Sequence, residues 1–300
     1  MTKVLILAGG QSDEREVSLR SGKAVYDALL TAGAYEVELV DYHSHSTNDE
    51  ILRTADVVFP ALHGPGGEDG VLQARLEGLG LRFVGSDATS SSLCMDKWRY
   101  KQYLQDSLPV MAGELVARSD IWQSPLTRQP FVIKPHDGGS SIDTIIVRDI
   151  VTLDRQAVEA LFERHETMLV EEYVAGIEVT AAVVGHQALP IVEIIPPADG
   201  EFDYENKYNG QTQELCPPVN VSPLLQERVQ ALALQAHKLC GCRDMSRTDA
   251  IIANDGSVYI IETNTIPGLT DQSLLPREAL AAGISMPQLC RQLVEAALQR

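Results

Sequence analysis

A strip near the C-terminus, residues 249–276, constrains the fold more than any other part of the chain. Two apolar runs flank the dipeptide Asp255-Gly256, and an Asp-Gly turn between two such runs predicts a β-hairpin. Three residues with oxygen donors stand at the strand ends, and two of them share a face because side chains alternate along a strand. Mg²⁺ prefers carboxylate and amide oxygens, commonly completed by phosphate oxygens. The candidate metal ligands are Asp249, Glu262 and Asn264.

A second motif predicts phosphate binding. The chain has no Gly-x-x-x-x-Gly-Lys-Ser/Thr sequence, but the apolar strand 131–134 ends in Lys134 and is followed by a small-residue loop with Ser140 and Ser141. The lysine supplies a point charge, and backbone N–H groups and hydroxyls of such a loop can surround phosphate oxygens. Lys97 is a second candidate cation. Taken singly, these features also suit a plain turn and an exposed surface lysine.

The segment at residues 168–178 predicts a strand that leaves through a linker. Its backbone amides can read the edge of an adenine, and its carboxylates can accept hydrogen bonds from ribose hydroxyls. A solvated crossing between two domains is the alternative interpretation.

Composition narrows the class of partner. A net charge of −18 argues against a general nucleic-acid surface or an anionic-membrane surface, because both need a basic face. An anionic nucleotide would therefore require local cations, which a metal and a few lysines supply. No apolar stretch approaches the roughly 18 residues of a membrane span, and the N-terminus lacks the pattern of a signal peptide. The five cysteines are scattered and odd in number, which favours reduced thiols and a cytoplasmic protein.

The order of apolar runs divides the chain into three parts. Strands and helices alternate over the first part, which predicts a doubly wound α/β unit with functional loops at the strand carboxyl ends. The predicted strands are 4–7, 36–40, 57–62, 81–84, 131–134, 144–147, 168–172, 180–184 and 190–195, together with the two strands of the hairpin. The predicted helices are 17–32, 72–79, 95–108, 223–239 and 286–298. The predicted domains are 1–87, 88–176 and 177–300.

Taken together, eight short motifs in unbroken order resemble those of the D-alanine–D-alanine ligases of the ATP-grasp superfamily, and they cover nearly the whole chain. The motifs lie at residues 14–18, 63–70, 95–97, 134–141, 171–178, 203–208, 247–249 and 262–276. The resemblance implies an ATP-grasp fold of the α/β class, with α+β subdomains, preceded by a Rossmann-like N-terminal domain. The N-terminal domain would hold the first D-alanine, and the C-terminal domain would carry a lid loop at 200–218 and the metal site.

The resemblance also implies a reaction. ATP would be the co-substrate, with two Mg²⁺ ions (or Mn²⁺ in their place), and D-alanine would be both donor and acceptor. The carboxylate of the first D-alanine would attack the γ-phosphate to give an acyl phosphate. The amine of the second would then form D-alanyl-D-alanine for peptidoglycan synthesis. The family further suggests a cytoplasmic homodimer that needs no nucleic acid and no membrane.

The resemblance assigns roles by position. The nucleotide set is Lys97, Lys134 and Ser141 at the phosphates, Lys207 at the γ-phosphate, Glu171, Glu172, Tyr173 and Val174 at the adenine, and Glu178 at the ribose. The metal set is the one named above. The amino-acid set is Glu14 at the first ammonium, His63 near the first carboxylate, and Ser273 and Leu274 at the second carboxylate. The catalytic set is the hydrogen-bonded triad Glu14, Ser140 and Tyr208, with Arg247 and the Gly268 N–H at the oxyanion.

Two positions depart from the family pattern. Asp143 stands in the small-residue loop where the family usually has glycine. A carboxylate near phosphate oxygens would repel them unless it turns outward, and it lacks the backbone freedom of glycine. Gln272 stands where many members have histidine, beside the residues expected at the second substrate.

Two alternatives remain open. A ligase that forms D-alanyl-D-lactate or D-alanyl-D-serine is one, although Tyr208 after Lys207 matches the dipeptide-forming members. A nucleotide-binding pseudoenzyme is the other, and the retained charged residues of the site count against it.

Overall fold

The computed structural model describes residues 1–43, 47–197 and 212–300. The described strands form three sheets that follow one another along the chain. The predicted site residues Lys207 and Tyr208 lie outside the described residues. Within the described ranges, no helix combines the length and the apolar character that crossing a membrane requires.

The first sheet is parallel, with β1 between β2 and β3. Its strands are β1 (Thr2–Gly9), β2 (Tyr35–Tyr42) and β3 (Val57–Pro60), and its helices are α1 (Arg15–Ala32), α2 (Asp49–Leu52) and α3 (Val71–Gly78). Residues 4–8 of β1 are fully buried, as expected for the central strand of a sheet covered on both faces. The carboxyl ends of β1 and β3 open into the loops that carry the first two predicted motifs.

The predicted strand at 81–84 is wrong. Phe83 makes a single parallel bridge to Val58 of β3. Glycines in the left-handed region bound this segment, with φ of 66° at Gly80 and 103° at Gly85. The chain therefore turns away from the sheet edge after one contact.

The second sheet is antiparallel, with strand order β4-β7-β5-β6. Its strands are β4 (Gly113–Ala117), β5 (Phe131–Lys134), β6 (Ile145–Val147) and β7 (Thr167–Glu172). The helices of this part are α4 (Ala88–Met95), α5 (Lys97–Leu104) and α6 (Arg155–Leu161), with short 3₁₀ turns at Pro125–Arg128 and Ile150–Thr152. The strands predicted at 131–134, 144–147 and 168–172 are confirmed.

The helix predicted at 95–108 is confirmed as α5 over Lys97–Leu104, whereas α4 was not predicted, and a break at Asp96 separates the two helices. Asp96 has extended backbone angles (φ −89°, ψ 99°), and its side chain accepts a hydrogen bond from Arg99 N at 3.0 Å. Such an N-cap typically stabilises a helix by about 1 kcal/mol. The new helix begins with Lys97, whose N–H donates to His136 O at 2.6 Å. The break thus places Lys97 beside the small-residue loop.

The third sheet has the order β11-β10-β8-β12-β13, with β9 paired to β8. Its strands are β8 (Gly176–Val184), β9 (Gln187–Ala188), β10 (Val192–Ile195), β11 (Gln213–Leu215), β12 (Met245–Ala253) and β13 (Val258–Asn264). The predicted hairpin is confirmed as β12–β13, with a register shift between Asp249 and Ala250. The predicted helices 223–239 and 286–298 are confirmed as α7 (Pro223–Leu239) and α9 (Met286–Leu298), whereas α8 (Leu274–Ala281) was not predicted.

The C-terminal helices return to the first sheet. Leu289 and Leu293 of α9 are buried in the same apolar core as Ile6 of β1 and Val25 of α1. Burying each such side chain contributes about 2 kcal/mol. This packing holds the loop before α8 against the loops that follow β1 and β3. The domain boundaries at 1–87, 88–176 and 177–300 stay predictions.

Candidate active site

Two cavities meet between the three sheets. The first, of about 440 Å³, lies between the loops after β1 and β3 and the start of α8. The second, of about 460 Å³, lies between the second and third sheets. The residues that line both cavities are Lys97, Gly138, Gly139, Ser140 and Glu262. A ligand in one cavity can therefore meet a ligand in the other at this junction.

The charged residues of the hairpin are paired across and along the strands. Asp249 and Glu262 are direct partners in the β12–β13 register. Arg247 donates through Nε and Nη2 to the two carboxylate oxygens of Asp249, both at 2.8 Å. Burial opposes the charge of Arg247, yet the attraction of Asp249 raises the arginine pKa above its usual value. Glu262 Oε2 lies 3.0 Å from Lys97 Nζ. Two charge pairs, one at Asp249 and one at Glu262, thus lie side by side on the hairpin.

The donor set at this edge fits magnesium held together with a nucleotide. Asn264 Oδ1 accepts a hydrogen bond from Ile266 N at 2.8 Å, which fixes the amide at the end of β13. In the part of the chain that the structure describes, no group of three or more His, Cys, Asp and Glu side chains could hold a metal alone. Mg²⁺ usually takes one or two carboxylates plus substrate phosphates rather than an all-protein cage. Two carboxylates and one amide, at the junction of the cavities, meet that requirement.

The loop at residues 138–144, called the serine loop below, has left-handed backbone at three non-glycine residues. The φ angles are 52° at Ser140, 57° at Ser141 and 57° at Asp143. Conformations of this kind cost roughly 1–3 kcal/mol each and cluster at ligand-binding loops. Ser140 Oγ donates to Glu14 Oε1 at 2.5 Å. Two members of the predicted triad are therefore in contact, and they tie the serine loop to the start of α1.

Asp143 turns away from the second cavity. Its Oδ1 lies 2.6 Å from Arg164 Nη2, and its Oδ2 lies 2.7 Å from His165 Nε2. The residues on either side of Asp143 in the serine loop line the cavity, but Asp143 does not. Aspartate also tolerates the left-handed region better than most residues. The departure from the family pattern is thus accommodated by an outward contact with the connection between α6 and β7.

A buried cluster of three charges lies beneath the second cavity. Glu171 of β7 contacts Lys101 Nζ through Oε1 and Lys134 Nζ through Oε2, each at 2.5 Å. Burial would raise the pKa of Glu171, but the two lysines lower it. Lys134 and Glu171 were predicted, whereas Lys101 was not. Its signal in the sequence is the spacing of four residues after Lys97, which puts both lysines on one helix face.

The wall of the second cavity suits a flat ring. Apolar side chains combine there with a few polar groups, as is typical of ligand pockets; they are Met111, Val132, Ile177, Ile251 and Ile261. The predicted residues Glu172, Tyr173, Val174 and Glu178 line the same cavity. The N–H groups of Glu172 and Tyr173 donate to Ala112 O and Pro130 O at 2.9 and 3.1 Å. These two donors are engaged by the protein, and adenine binding by the segment stays a prediction.

His63 is buried in the wall of the first cavity. Its Nε2 lies 3.0 Å from Ser21 Oγ and its Nδ1 lies 3.1 Å from Ile266 O. Because a carbonyl oxygen only accepts, Nδ1 carries a proton. Glu68 is buried beside the ring, with Oε2 3.9 Å from Nδ1, and burial raises the pKa of Glu68 despite the nearby imidazole. Neither Ser21 nor Glu68 was singled out from the sequence, although Glu68 lies within the motif at 63–70.

The residues predicted at the second substrate lie at the start of α8. Ser273 precedes the helix, and its Oγ accepts a hydrogen bond from Thr270 N at 3.1 Å. A Cβ atom at Gly268 would lie 2.6 Å from Ser273 Oγ, so a larger residue here would displace the Ser273 hydroxyl. Leu274 is the first residue of α8, and the first N–H groups of a helix have no partner within it. Gly268, Ser273 and Leu274 line the first cavity together with Arg247.

Arg277 and Glu214 form a further pair in the wall of the first cavity. Arg277 Nη1 donates to Glu214 O at 2.7 Å, and its Nη2 lies 3.1 Å from Glu214 Oε2. The pair joins α8 to β11, the first strand after residue 211. It was not predicted, because the two residues are far apart in sequence and belong to no motif.

The described site residues therefore gather around the two cavities. The first cavity has Glu14, His63, Lys97, Ser140, Arg247, Glu262, Asn264, Gly268, Ser273 and Leu274 in its wall. The second has Lys97, Lys134, Ser140, Ser141, Glu171, Glu172, Tyr173, Val174, Glu178, Asp249 and Glu262. The roles assigned to these residues stay predictions.

Comparison with known proteins matches nearly the whole chain. The family model for the D-alanine–D-alanine ligase N-terminus matches residues 41–86, and the model for the C-terminus matches residues 107–295. A D-alanine–D-alanine ligase from Desulforudis audaxviator is 42% identical, over 99% of this chain and 99% of its own. One from Halalkalibacterium halodurans is 37% identical, over 99% of this chain and 100% of its own.

Solved structures of D-alanine–D-alanine ligases have the same fold as this chain. The D-alanine–D-alanine ligase from Bacillus anthracis complexed with ATP has a TM-score of 0.85 at 29% identity, covering 100% of this chain and 98% of its own. The ligase from Coxiella burnetii has a TM-score of 0.83 at 28% identity, covering 100% and 94%. The predicted α/β class and ATP-grasp fold are confirmed. By sequence over its full length and by fold, this chain belongs to the D-alanine–D-alanine ligase family.

Proposed function

We propose that this protein joins two D-alanine molecules to D-alanyl-D-alanine, with ATP as the co-substrate, in the synthesis of peptidoglycan precursors. The observation that carries the proposal is the junction of the two cavities at Lys97, the serine loop and Glu262. An amino acid in the first cavity and a nucleotide triphosphate in the second would meet there. The similarity to ligases over 99% of the chain supports the same reaction.

The first D-alanine would bind in the first cavity. Glu14 offers a carboxylate for its ammonium group, and the hydrogen bond from Ser140 orients that carboxylate. His63, held by Ser21 and Ile266 O, stands in the wall where the substrate carboxylate would lie. This arrangement directs the carboxylate oxygen toward the junction and the γ-phosphate.

The nucleotide phosphates would displace protein contacts at the junction. Lys97, now paired with Glu262, and Lys134, now paired with Glu171, are two cations that line the second cavity. Asp249, Glu262 and Asn264 would hold two Mg²⁺ ions, which supply positive charge to the phosphate oxygens. Arg247 would then exchange its bidentate bond with Asp249 for contact with substrate oxygens.

In the second half of the reaction, the amine of the second D-alanine would attack the acyl carbon, and phosphate would leave. Ser273 and the first N–H groups of α8 would bind its carboxylate. Arg247 and the Gly268 N–H would stabilise the oxyanion, and one such donor typically contributes about 3–4 kcal/mol. The lid predicted at 200–218, with Lys207 and Tyr208, would exclude water from the acyl phosphate. A cytoplasmic homodimer belongs to the same proposal and rests on the family resemblance.

Coupled release of phosphate from ATP tests the proposal. We expect release that requires both Mg²⁺ and D-alanine, with a product of the mass of D-alanyl-D-alanine. D-Lactate and D-serine, offered as acceptors beside D-alanine, distinguish the ligases that form other products. Absence of phosphate release with every acceptor, from protein that binds ATP, would favour a pseudoenzyme and overturn the proposal.

A further inference from the structure

Lys101 is a buried lysine of α5 that lines neither cavity. Its side chain is 3% exposed, and its Nζ lies 2.5 Å from Glu171 Oε1. Lys134 Nζ lies 2.5 Å from the other oxygen of the same carboxylate. The contact between Lys101 Nζ and Glu171 Oε1 is an ion pair, and among the described residues neither atom has a hydrogen-bond partner. Lys101 therefore depends on Glu171 to keep its charge in the interior, whereas Glu171 is also paired with Lys134.

The cluster carries a net charge of +1. Lys134 and Glu171 line the second cavity, and alone they would form a neutral pair. A buried carboxylate binds a single lysine strongly, because weakly polar surroundings screen the attraction less than water does. Because Lys101 also contacts Glu171, two ammonium groups share one carboxylate. The lysine in the cavity wall thereby retains positive charge that a ligand can use.

Stability alone does not account for a lysine at this position. Replacing a buried ion cluster with apolar side chains of similar volume is often neutral or stabilising. Burial lowers the pKa of Lys101, which measures the cost of keeping its ammonium group charged. This charged lysine lies directly beneath the cavity that suits a nucleotide. A role in binding explains the location better than a role in folding.

Helix α5 presents Lys101 and Lys97 on one face, one turn apart. Lys97 pairs with Glu262 at the predicted metal edge, and Lys101 pairs with Glu171 at the opposite sheet. The same helix therefore supplies a cation that would contact phosphate and a second cation placed behind the phosphate-binding lysine of β5.

We propose that Lys101 is a positioning residue for the nucleotide: it shares the Glu171 carboxylate, so that Lys134 keeps its charge for the phosphates of ATP. Lys101 touches no substrate and acts through Glu171 and Lys134. The inference rests on the proposed function in one respect, namely that the ligand of the second cavity is a nucleoside triphosphate. Its deciding measurement is the affinity for an ATP analogue, which does not need turnover.

The test compares Lys101→Met, Lys101→Arg and the control Lys238→Met, which removes an exposed lysine of α7. The readouts are the calorimetric Kd of a non-hydrolysable ATP analogue with Mg²⁺, the KM for D-alanine and the Tm. We expect Lys101→Met to weaken binding of the analogue on the order of tenfold, because Glu171 would then pair with Lys134 alone and neutralise its charge. Lys101→Arg should recover part of the loss. The KM of Lys101→Met for D-alanine should stay close to the wild-type value. Lys238→Met should keep the wild-type Kd, KM and Tm.

A double variant, Lys101→Met with Glu171→Gln, separates charge from structural damage. It removes the ammonium group of Lys101 and the carboxylate of Glu171 together, so that the charge of Lys134, in the wall of the second cavity, again gives the site a net charge of +1. We expect it to fold when Lys101→Met folds poorly and to bind the analogue more tightly than the single variant.

Wild-type affinity in Lys101→Met, or a double variant as weak as the single one, would overturn the role of Lys101. The ligase activity of the wild-type protein is measured separately. If the wild-type protein binds the ATP analogue but has no ligase activity, that result counts against the proposed function and not against this inference.

Discussion

Asp143→Gly restores the residue that the family usually has in the serine loop. In this chain the carboxylate of Asp143 lies 2.6 Å from Arg164 and 2.7 Å from His165, and it is outside the lining of the second cavity. The substitution therefore removes a contact that orders the loop. It does not remove a repulsion between the carboxylate and phosphate.

The effects of this substitution on the free energy of unfolding partly offset one another. The Arg164 side chain is 65% exposed, so its ion pair contributes about 0.2–1 kcal/mol, and the hydrogen bond with His165 contributes about 1 kcal/mol. Glycine adds backbone freedom worth about 0.5–1 kcal/mol but relieves roughly 1 kcal/mol of left-handed strain. We expect the free energy of unfolding to fall by about 1–2 kcal/mol. ATP affinity should fall about fivefold, because ordering a freed loop costs about 1 kcal/mol on binding.

Asp143→Asn separates contact from strain, because asparagine tolerates the φ of 57° but cannot form the ion pair. Asp143→Asn should lower the affinity for ATP to a similar extent. The control Glu163→Gln removes an exposed acid next to Arg164 and should leave the affinity for ATP unchanged. The measurements are the calorimetric Kd of a non-hydrolysable ATP analogue and urea unfolding. Tighter binding by Asp143→Gly would refute the reasoning, since it would mean that the carboxylate faces the phosphates.

Three further predictions address the metal edge, the lid and acid stability. Glu262→Gln should abolish ATP turnover with little loss of Tm, because the amide keeps the shape and removes a ligand charge; near-normal phosphate release at saturating Mg²⁺ would defeat the metal assignment. Tyr208→Phe removes one hydroxyl, worth about 1 kcal/mol, and should raise the share of D-lactate product in competition with D-alanine across a pH series; an unchanged ratio at every pH would make the tyrosine a packing residue. Burial lowers the pKa of His237 to about 4, while the unfolded chain takes up this proton near pH 6.5. Stability should therefore fall by up to about 3 kcal/mol as pH drops from 6.5 to 4, and chemical unfolding of His237→Gln should show a flatter profile; equal slopes would contradict this account.

The sequence by itself determined the elements whose boundaries are set by local chemistry. The hairpin around Asp255-Gly256 and the helices at 223–239 and 286–298 appear at the predicted places, because turn residues and apolar periodicity act over short distances. It also predicted the neighbourhood of Glu14 and Ser140, which are 126 positions apart yet hydrogen-bonded. That prediction came from the family resemblance, since no local rule brings a helix start to a distant loop.

Only the tertiary structure decided which partner each charged residue takes. The spacing of Lys101 from Lys97 places it on the same helix face but does not show that it is buried, and it joins a buried cluster because α5 packs against the second sheet. The direction of Asp143 depends on Arg164 and His165, which reach it only when the connection between α6 and β7 lies beside the serine loop. Residues 81–84 have the composition of a strand but meet the sheet at one residue. Pairing of charges and of sheet edges depends on which surfaces are buried together, and that is a property of the folded chain as a whole.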